Sequence, residues 1–223
     1  MSDDSFIREV DDELRSEKMQ QFWSRYGKLV IGVALSIVLL TAGYRGYKFY
    51  QESQAETAGD AFMAAVQLSN DNKHDEAIKA LAKLADTGPE AYAALARMRM
   101  ASELTGKGEA KAAVAAYDEI AENSKIDETY RDLARLRAGL LLVDIGTRDE
   151  VKKRIEVLAK PGIPFRHSAR EGLGLAAWKA GDLKEAAKYF TLISDDQDAP
   201  NSMRGRANLM LDLIAGKGGP ERK

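Results

Sequence analysis

The chain contains no cysteine. That removes disulfides, thiolate nucleophiles and Cys-ligated zinc in one step. Histidine is nearly absent as well. His74 and His167 lie far apart in the 223 residues, without the ligand spacing of a metal site. Proline is scarce (5 residues), and β-branched runs are rare outside one segment, so little interrupts helices. A net charge of −2 and a pI of about 5.9 lack the basic excess of nucleic-acid binders. No Gly-x-Ser-x-Gly elbow is present, and the glycines of Gly106-Lys107-Gly108 and Gly172-Leu173-Gly174 follow no strand. Asp195, Asp196 and Asp198 fall short of a calcium loop and are expected to be a solvated turn. These absences argue against an enzyme, and no catalytic, cofactor or metal residue is expected.

What the chain does have begins with one long apolar run. From Leu29 to Tyr44, sixteen consecutive residues carry no charge. At about 1.5 Å per residue this covers roughly 24 Å, short of a hydrocarbon core of about 30 Å. Lys28 and Arg45 close the gap, because their stems bury while their charged ends reach the headgroups. Phe22, Trp23 and Tyr26 precede the run, and Tyr44, Tyr47, Phe49 and Tyr50 follow it, as an interfacial belt requires. A buried core helix needs no such girdle. The expected membrane anchor is therefore Trp23, Tyr26, Lys28, Tyr44, Arg45 and Tyr47, in a transmembrane helix over 26–48.

Arg8, Arg15, Lys18, Arg25 and Lys28 lie before the span; Arg45 and Lys48 follow it, and the next cation is Lys73. The excess on the N-terminal side predicts residues 1–25 in the cytoplasm and the larger domain across the membrane. A cleaved signal peptide would want a short basic leader and a small-residue exit. Here an acid-rich 28-residue segment leads, and Leu40 occupies a position where a small residue is expected. Phe6, Val10 and Leu14 have helical spacing within the leader.

The part after Tyr50 repeats itself. The clearest copy is Gly174-Leu-Ala-Ala-Trp-Lys-Ala-Gly181-Asp-Leu-Lys-Glu-Ala186-Ala-Lys-Tyr-Phe190. The anchors Ala77, Ala113, Val151 and Ala186 are 36, 38 and 35 residues apart, close to the tetratricopeptide period. Two antiparallel helices cross closely only over small residues, which Ala65, Ala101, Gly139 and Gly174 supply. Leu81, Tyr117, Ile155 and Phe190 then insert between neighbouring hairpins. The expected fold is all-α: the transmembrane helix, then a tetratricopeptide-like right-handed α-solenoid over 49–216. It comprises about four hairpins and a capping helix from about Asn201 to Ala215, with a disordered tail at 217–223.

Solenoids of this kind bind peptides or proteins along the inner face of their first helices. Registering each repeat on its small residue puts Phe62, Val66, Leu95, Met98, Leu133, Leu136, Leu140, Val143, Leu175 and Trp178 on that face. Ser102, Thr105 and Glu171 interrupt it. The stripe is either a partner-binding groove or core covered by a cap, and the residues alone leave both readings open.

The order of features carries a resemblance. Asp11-Asp-Glu-Leu-Arg-Ser-Glu-Lys-Met-Gln-Gln-Phe22-Trp23-Ser-Arg-Tyr26-Gly27-Lys28, a glycine-containing apolar span, and Tyr44-Arg-Gly-Tyr47-Lys-Phe-Tyr50 resemble the start of the YfgM-like family, ancillary subunits of the SecYEG translocon. The resemblance covers essentially the whole chain. It implies a single-pass protein of the bacterial inner membrane, N-terminus cytoplasmic, with tetratricopeptide-like repeats in the periplasm. It further implies three kinds of partner: SecYEG, a membrane-anchored prolyl-isomerase-like periplasmic chaperone, and unfolded exported proteins. No nucleic acid, cofactor or catalytic residue is implied. An envelope-assembly or cell-division scaffold built on the same repeats is the alternative.

Overall fold

The computed structural model describes residues 3–220, with side chains at residue 15 and from residue 17 onward. The leader residues Phe6, Val10 and Leu14 have side chains outside that range. Among the described residues there are nine α-helices, one 3-10 turn and no strand. The chain divides into two compact units, residues 1–54 and 55–223; the expected boundary was 48/49. Helix α1 (Asp3–Asn70) contributes residues to both units.

In the first unit α1 holds an 18-residue stretch of mean hydropathy 1.8, long and apolar enough to cross a membrane. Only 6% of that stretch is buried, whereas a core helix of this composition would be covered. Its two hydroxyls turn onto their own helix: Ser36 Oγ donates to the Gly32 carbonyl at 2.8 Å and Thr41 Oγ1 to the Ile37 carbonyl at 2.7 Å. Polar side chains so satisfied cost little in an apolar medium. Before the stretch, the Trp23 ring covers Gly27, where a β-carbon would sit 3.1 Å from it. After it, Gln51 Nε2 donates to the Tyr47 hydroxyl at 2.9 Å.

The second unit starts with the last sixteen residues of α1. There follow α2 (His74–Thr87), α3 (Glu90–Gly106), α4 (Ala110–Glu122), α5 (Glu128–Ile145) and α6 (Arg148–Ile155). A 3-10 turn (Glu156–Ala159) leads to α7 (Arg166–Lys179), α8 (Leu183–Ser194) and α9 (Asn201–Gly216). From α2 to α9, helices adjacent in the chain pack on one another, and α7 also packs on α5 and α9. The eight positions read from the repeat are all buried. Ala65, Ala101, Gly139 and Gly174 meet the inserted Leu81, Tyr117, Ile155 and Phe190. The fit is close: a β-carbon on Gly139 would lie 2.3 Å from Ile155 Cγ2, and one on Gly174 2.9 Å from the Phe190 ring. Ala77, Ala113, Val151 and Ala186 are fully covered.

Three hairpin turns share one device. Asn72, Gly108 and Gly181 adopt φ of 60°, 79° and 81°. In each, the following amide reaches back to a carbonyl five residues earlier: Lys73 to Leu68, Glu109 to Leu104, Asp182 to Ala177. This Schellman closure satisfies the carbonyls that a helix end leaves unpaired. The third repeat differs. Gly146 is extended, and Thr147 instead caps α6 through a reciprocal pair with Glu150. Its second helix is also the shortest, giving way to the 3-10 turn after eight residues.

The C-terminus corrects one expectation. The tail expected to be disordered from 217 is packed at least to Gly219, whose amide donates to the Ile214 carbonyl at 2.9 Å. Residues 221–223 lie outside the described residues.

Candidate interaction surface

The first helices of the hairpins (the end of α1, then α3, α5 and α7) carry the apolar stripe read from the sequence. Phe62, Val66, Leu95, Met98, Leu133, Leu140, Val143, Leu175 and Trp178 are half-buried. Leu136 is not on that surface. It is 5% exposed and belongs to the core cluster that includes Tyr117, Ile155 and Leu173. The spacing Leu133-Leu136-Leu140 suits one helical face, but α5 is packed by α4, α6 and α7, so its covered arc is wider than a single stripe.

Six of the half-buried residues are anchored to different parts of the core. Phe62 packs on the Ala65–Leu81 cluster, Met98, Leu140 and Val143 on the central one, and Leu175 with Trp178 on the cluster formed with α9. Between α3 and α5 a depression of about 420 Å³ opens over Tyr117. Ser102, Thr105, Arg137 and Leu140 line it, so two expected polar interruptions and one expected apolar residue converge there. Burial pushes the Tyr117 hydroxyl above its usual range. A second cavity, of about 300 Å³, lies between α2, α3 and α4 and includes Ile78, Met100, Ile120 and Arg97. Sequence reasoning missed it, because a gap between helices follows from packing and leaves no mark in residue spacing.

It also missed the polar core. Glu103 is buried in α3 and gathers three partners. Ser69 Oγ donates to it at 2.7 Å, His74 Nδ1 donates at 2.7 Å, and Arg99 Nε lies 2.6 Å away. Burial alone would raise the Glu103 carboxyl, but these contacts outweigh it and hold the group below its ordinary value. Asp196, expected to be solvated, is instead a hub. His167 Nε2 lies 2.9 Å from its Oδ2, with Arg170 Nη1 at 3.1 Å and Arg166 Nε at 3.2 Å. These bonds, His167 first, hold the Asp196 carboxyl well below the usual carboxylate range. Arg170 is buried and also donates to the carbonyls of Ala159 and Leu192, joining three segments. Both histidines thus pair with carboxylates. Among the described residues no group of three or more His, Asp or Glu could hold a metal ion.

Polar contacts also tie each hairpin to the next at about one repeat length. Ser69–Glu103, Arg148–Asp182 and Arg154–Asp118 span 34, 34 and 36 residues. Lys179 Nζ donates to the Val143 carbonyl at 3.0 Å, and Arg206 grips Glu171 through Nε and Nη2. The contacts therefore repeat with the sequence.

The anchor residues form a separate group on the first unit. Trp23, Tyr26, Lys28, Tyr44, Arg45 and Tyr47 are all exposed along α1. Phe22 and Tyr26 rings lie 5.4 Å apart, with the Arg25 guanidinium 5.8 Å from the Tyr26 ring.

A comparison with protein-family models finds one described as a tetratricopeptide repeat-like domain, matching residues 20–212. The match starts ahead of Leu29, so it takes in the apolar stretch as well as the repeats. No curated protein matches the chain. With most of its length inside that match, the chain belongs to the tetratricopeptide repeat-like family.

Proposed function

We propose that this protein is a non-enzymatic adaptor of the bacterial inner membrane, an ancillary subunit of the SecYEG translocon. Its hairpins stack as a right-handed solenoid in the periplasm. One N-terminal helix spans the membrane, with residues 1–25 in the cytoplasm. The repeats hold a membrane-anchored prolyl-isomerase-like chaperone or a newly exported chain.

The observation that carries this reading is the half-buried apolar stripe on the first helices. Nine apolar side chains are half-buried, six of them packed on the core clusters, and a polar-edged depression opens between α3 and α5. Such a surface suits extended or helical peptide segments, with apolar pockets for affinity and a few polar groups for orientation. Family membership supports protein–protein interaction in general. The Lys/Arg excess before the apolar stretch supports the orientation, and the resemblance of the N-terminal fifty residues supports the translocon.

Affinity purification of the full chain from detergent-solubilised membranes tests the proposal. Translocon subunits are expected at near-stoichiometric recovery, and their absence would overturn it. The chain with both Leu140→Ser and Trp178→Ser separates groove from core. Retained helicity with lost partner crosslinking supports a binding groove, whereas unfolding identifies the stripe as structural.

A further inference from the structure

An outermost helix of a stacked array normally turns a polar face to solvent. Helix α9 does not. Its covered side is Ala207, Leu211 and Ile214, supported by Met203 and Met210. Its uncovered side is Ser202, Gly205, Arg206, Leu209, Asp212, Leu213 and Gly216, every one exposed. Leu209 and Leu213 are 60% and 48% exposed, and a β-carbon added at Gly205 or Gly216 would meet nothing within 4 Å. Positions 202, 205, 206, 209, 212, 213 and 216 lie three or four residues from a neighbour on the same face, which is the spacing of a helix-pair seam.

The seam is complementary to itself when reversed. About Leu209 as centre, Gly205 and Leu213 are equidistant, as are Arg206 and Asp212, and Ser202 and Gly216. In an antiparallel pair Leu209 therefore meets Leu209, each Leu213 enters the space left by a Gly205, and each Arg206 faces an Asp212. Arg206 already grips Glu171 through Nε and Nη2, which leaves Nη1 for a second carboxylate. We infer that α9 is a self-association surface whose partner is α9 of a second copy of this chain, paired antiparallel about a two-fold axis. Such an isologous interface uses the same patch on both copies and closes on itself.

Size sets its strength. Sixteen residues make a helix of about 24 Å, and one such face covers less than the roughly 800 Å² per partner of a standard stable interface. The pairing is weak in dilute solution. Here it rests on the proposed anchoring, since chains held in one membrane meet at high effective concentration.

The natural absence of cysteine makes the test direct. In native membranes, the full chain carrying only Leu209→Cys is oxidised with copper phenanthroline. A disulfide dimer is expected to form at least about tenfold faster than from Leu192→Cys, an exposed site on α8. Chains with Gly205→Cys and with Leu213→Cys are expected to crosslink to each other and neither to itself. Adding Asp212→Arg to Leu209→Cys sets like charges together and is expected to slow crosslinking about tenfold. Equal melting temperatures of the variants show that the fold is intact. Equal rates from Leu209→Cys and Leu192→Cys overturn the inference. So does self-crosslinking of Gly205→Cys, which indicates parallel helices, or crosslinking of Leu209→Cys chains to Met63→Cys chains, which indicates head-to-tail stacking. Alkaline carbonate extraction in parallel reports separately whether the chain is membrane-held at all.

Discussion

Residues Leu29–Tyr44 and helix α5 are helical stretches of similar length in opposite situations: the first carries no charge, whereas α5 carries six charged residues. Every side chain from Lys28 to Gln54 is exposed, while α5 buries Ala134, Leu136, Ala138, Gly139 and Leu142 against its neighbours. The two differ in composition in a way that explains this. The first presents Leu, Ile and Val on all sides, with glycines that touch nothing. The second alternates large and small residues, and its glycine is a seat for Ile155. A core helix is marked by charged residues along its open side and by alternating sizes on its covered side, and the first stretch has neither. Leaving so many aliphatic side chains in water would cost about 1.5–3 kcal/mol each, and the proposed bilayer removes that cost.

The comparison breaks most visibly if the first stretch is charged. Val33→Arg with Ile37→Arg is expected to cost about 2.5–3.5 kcal/mol per residue at the membrane centre. The chain should then be released by alkaline carbonate, with its helicity unchanged. Retention in the pellet would show that the stretch does not hold the protein in lipid. The reciprocal change acts on the repeats. Phe190→Ala removes a 1% exposed side chain seated over Gly174 and is expected to cost about 3–5 kcal/mol. Denaturant unfolding followed by circular dichroism measures it, and Leu35→Ala in the apolar stretch of α1 should leave that transition in place.

A subtler contrast uses glycine in both regions. Gly139→Ala places a β-carbon 2.3 Å from Ile155 and is expected to destabilise by about 1–3 kcal/mol through overpacking. Gly43→Ala meets nothing within 4 Å, and should be neutral or slightly stabilising through helix propensity. Equal effects at the two positions would remove the size-pattern argument.

Such size patterns were legible in the sequence because they repeat. Ala65, Ala101, Gly139 and Gly174 recur opposite Leu81, Tyr117, Ile155 and Phe190, so four copies vote on one packing rule. The polar core was not legible, because its members occur once. Nothing in the spacing links Ser69, His74, Arg99 and Glu103 until α1, α2 and α3 are packed. Asp196 looked like a solvated loop residue because its partners, Arg166, His167 and Arg170, lie 26–30 residues earlier. Leu136 was assigned to the surface by a register that knows one helix face, whereas α5 is covered from several sides. The candidate binding surface was legible as nine residues on four helices; the depression between α3 and α5 required the structure.

The polar core gives the two regions different responses to acid. Glu103 and Asp196 are both held below their ordinary values in the folded protein. A depressed carboxyl stabilises the fold above its unfolded pKa, 4.5 for Glu and 3.8 for Asp, and loses that contribution as pH falls through the folded value. The melting temperature of the repeats should be level above about pH 5.5 and fall progressively below about pH 4.5. Glu103→Gln should lower stability at pH 7 by about 2 kcal/mol, the loss of charge-assisted hydrogen bonds, and flatten the acid limb. An unchanged acid limb in Glu103→Gln would remove this residue as a cause of acid sensitivity.

The smallest expected effect is also the most local, and it rests on the chain's two tryptophans. Trp23 is 51% exposed in the first unit, and Trp178 is half-buried in the second. The Lys217 ammonium sits 4.5 Å from the centroid of the Trp178 ring. That contact is worth about 0.5–1 kcal/mol at a partly exposed site, and it pins the C-terminal segment against a residue of the proposed binding stripe. In the chain carrying Trp23→Phe, Lys217→Ala should shift the Trp178 emission and raise its quenching by iodide, with a melting change of only a few degrees. Lys217→Arg keeps the cation and should restore the parent spectrum. The same Lys217→Ala change beside Trp178→Phe should leave Trp23 unaffected, because lipid or solvent at α1, not the C-terminal segment, sets its environment. A Trp178 signal indifferent to Lys217 would mean that the ring is covered by α9 alone, and that the end of the chain has no part in shaping the stripe.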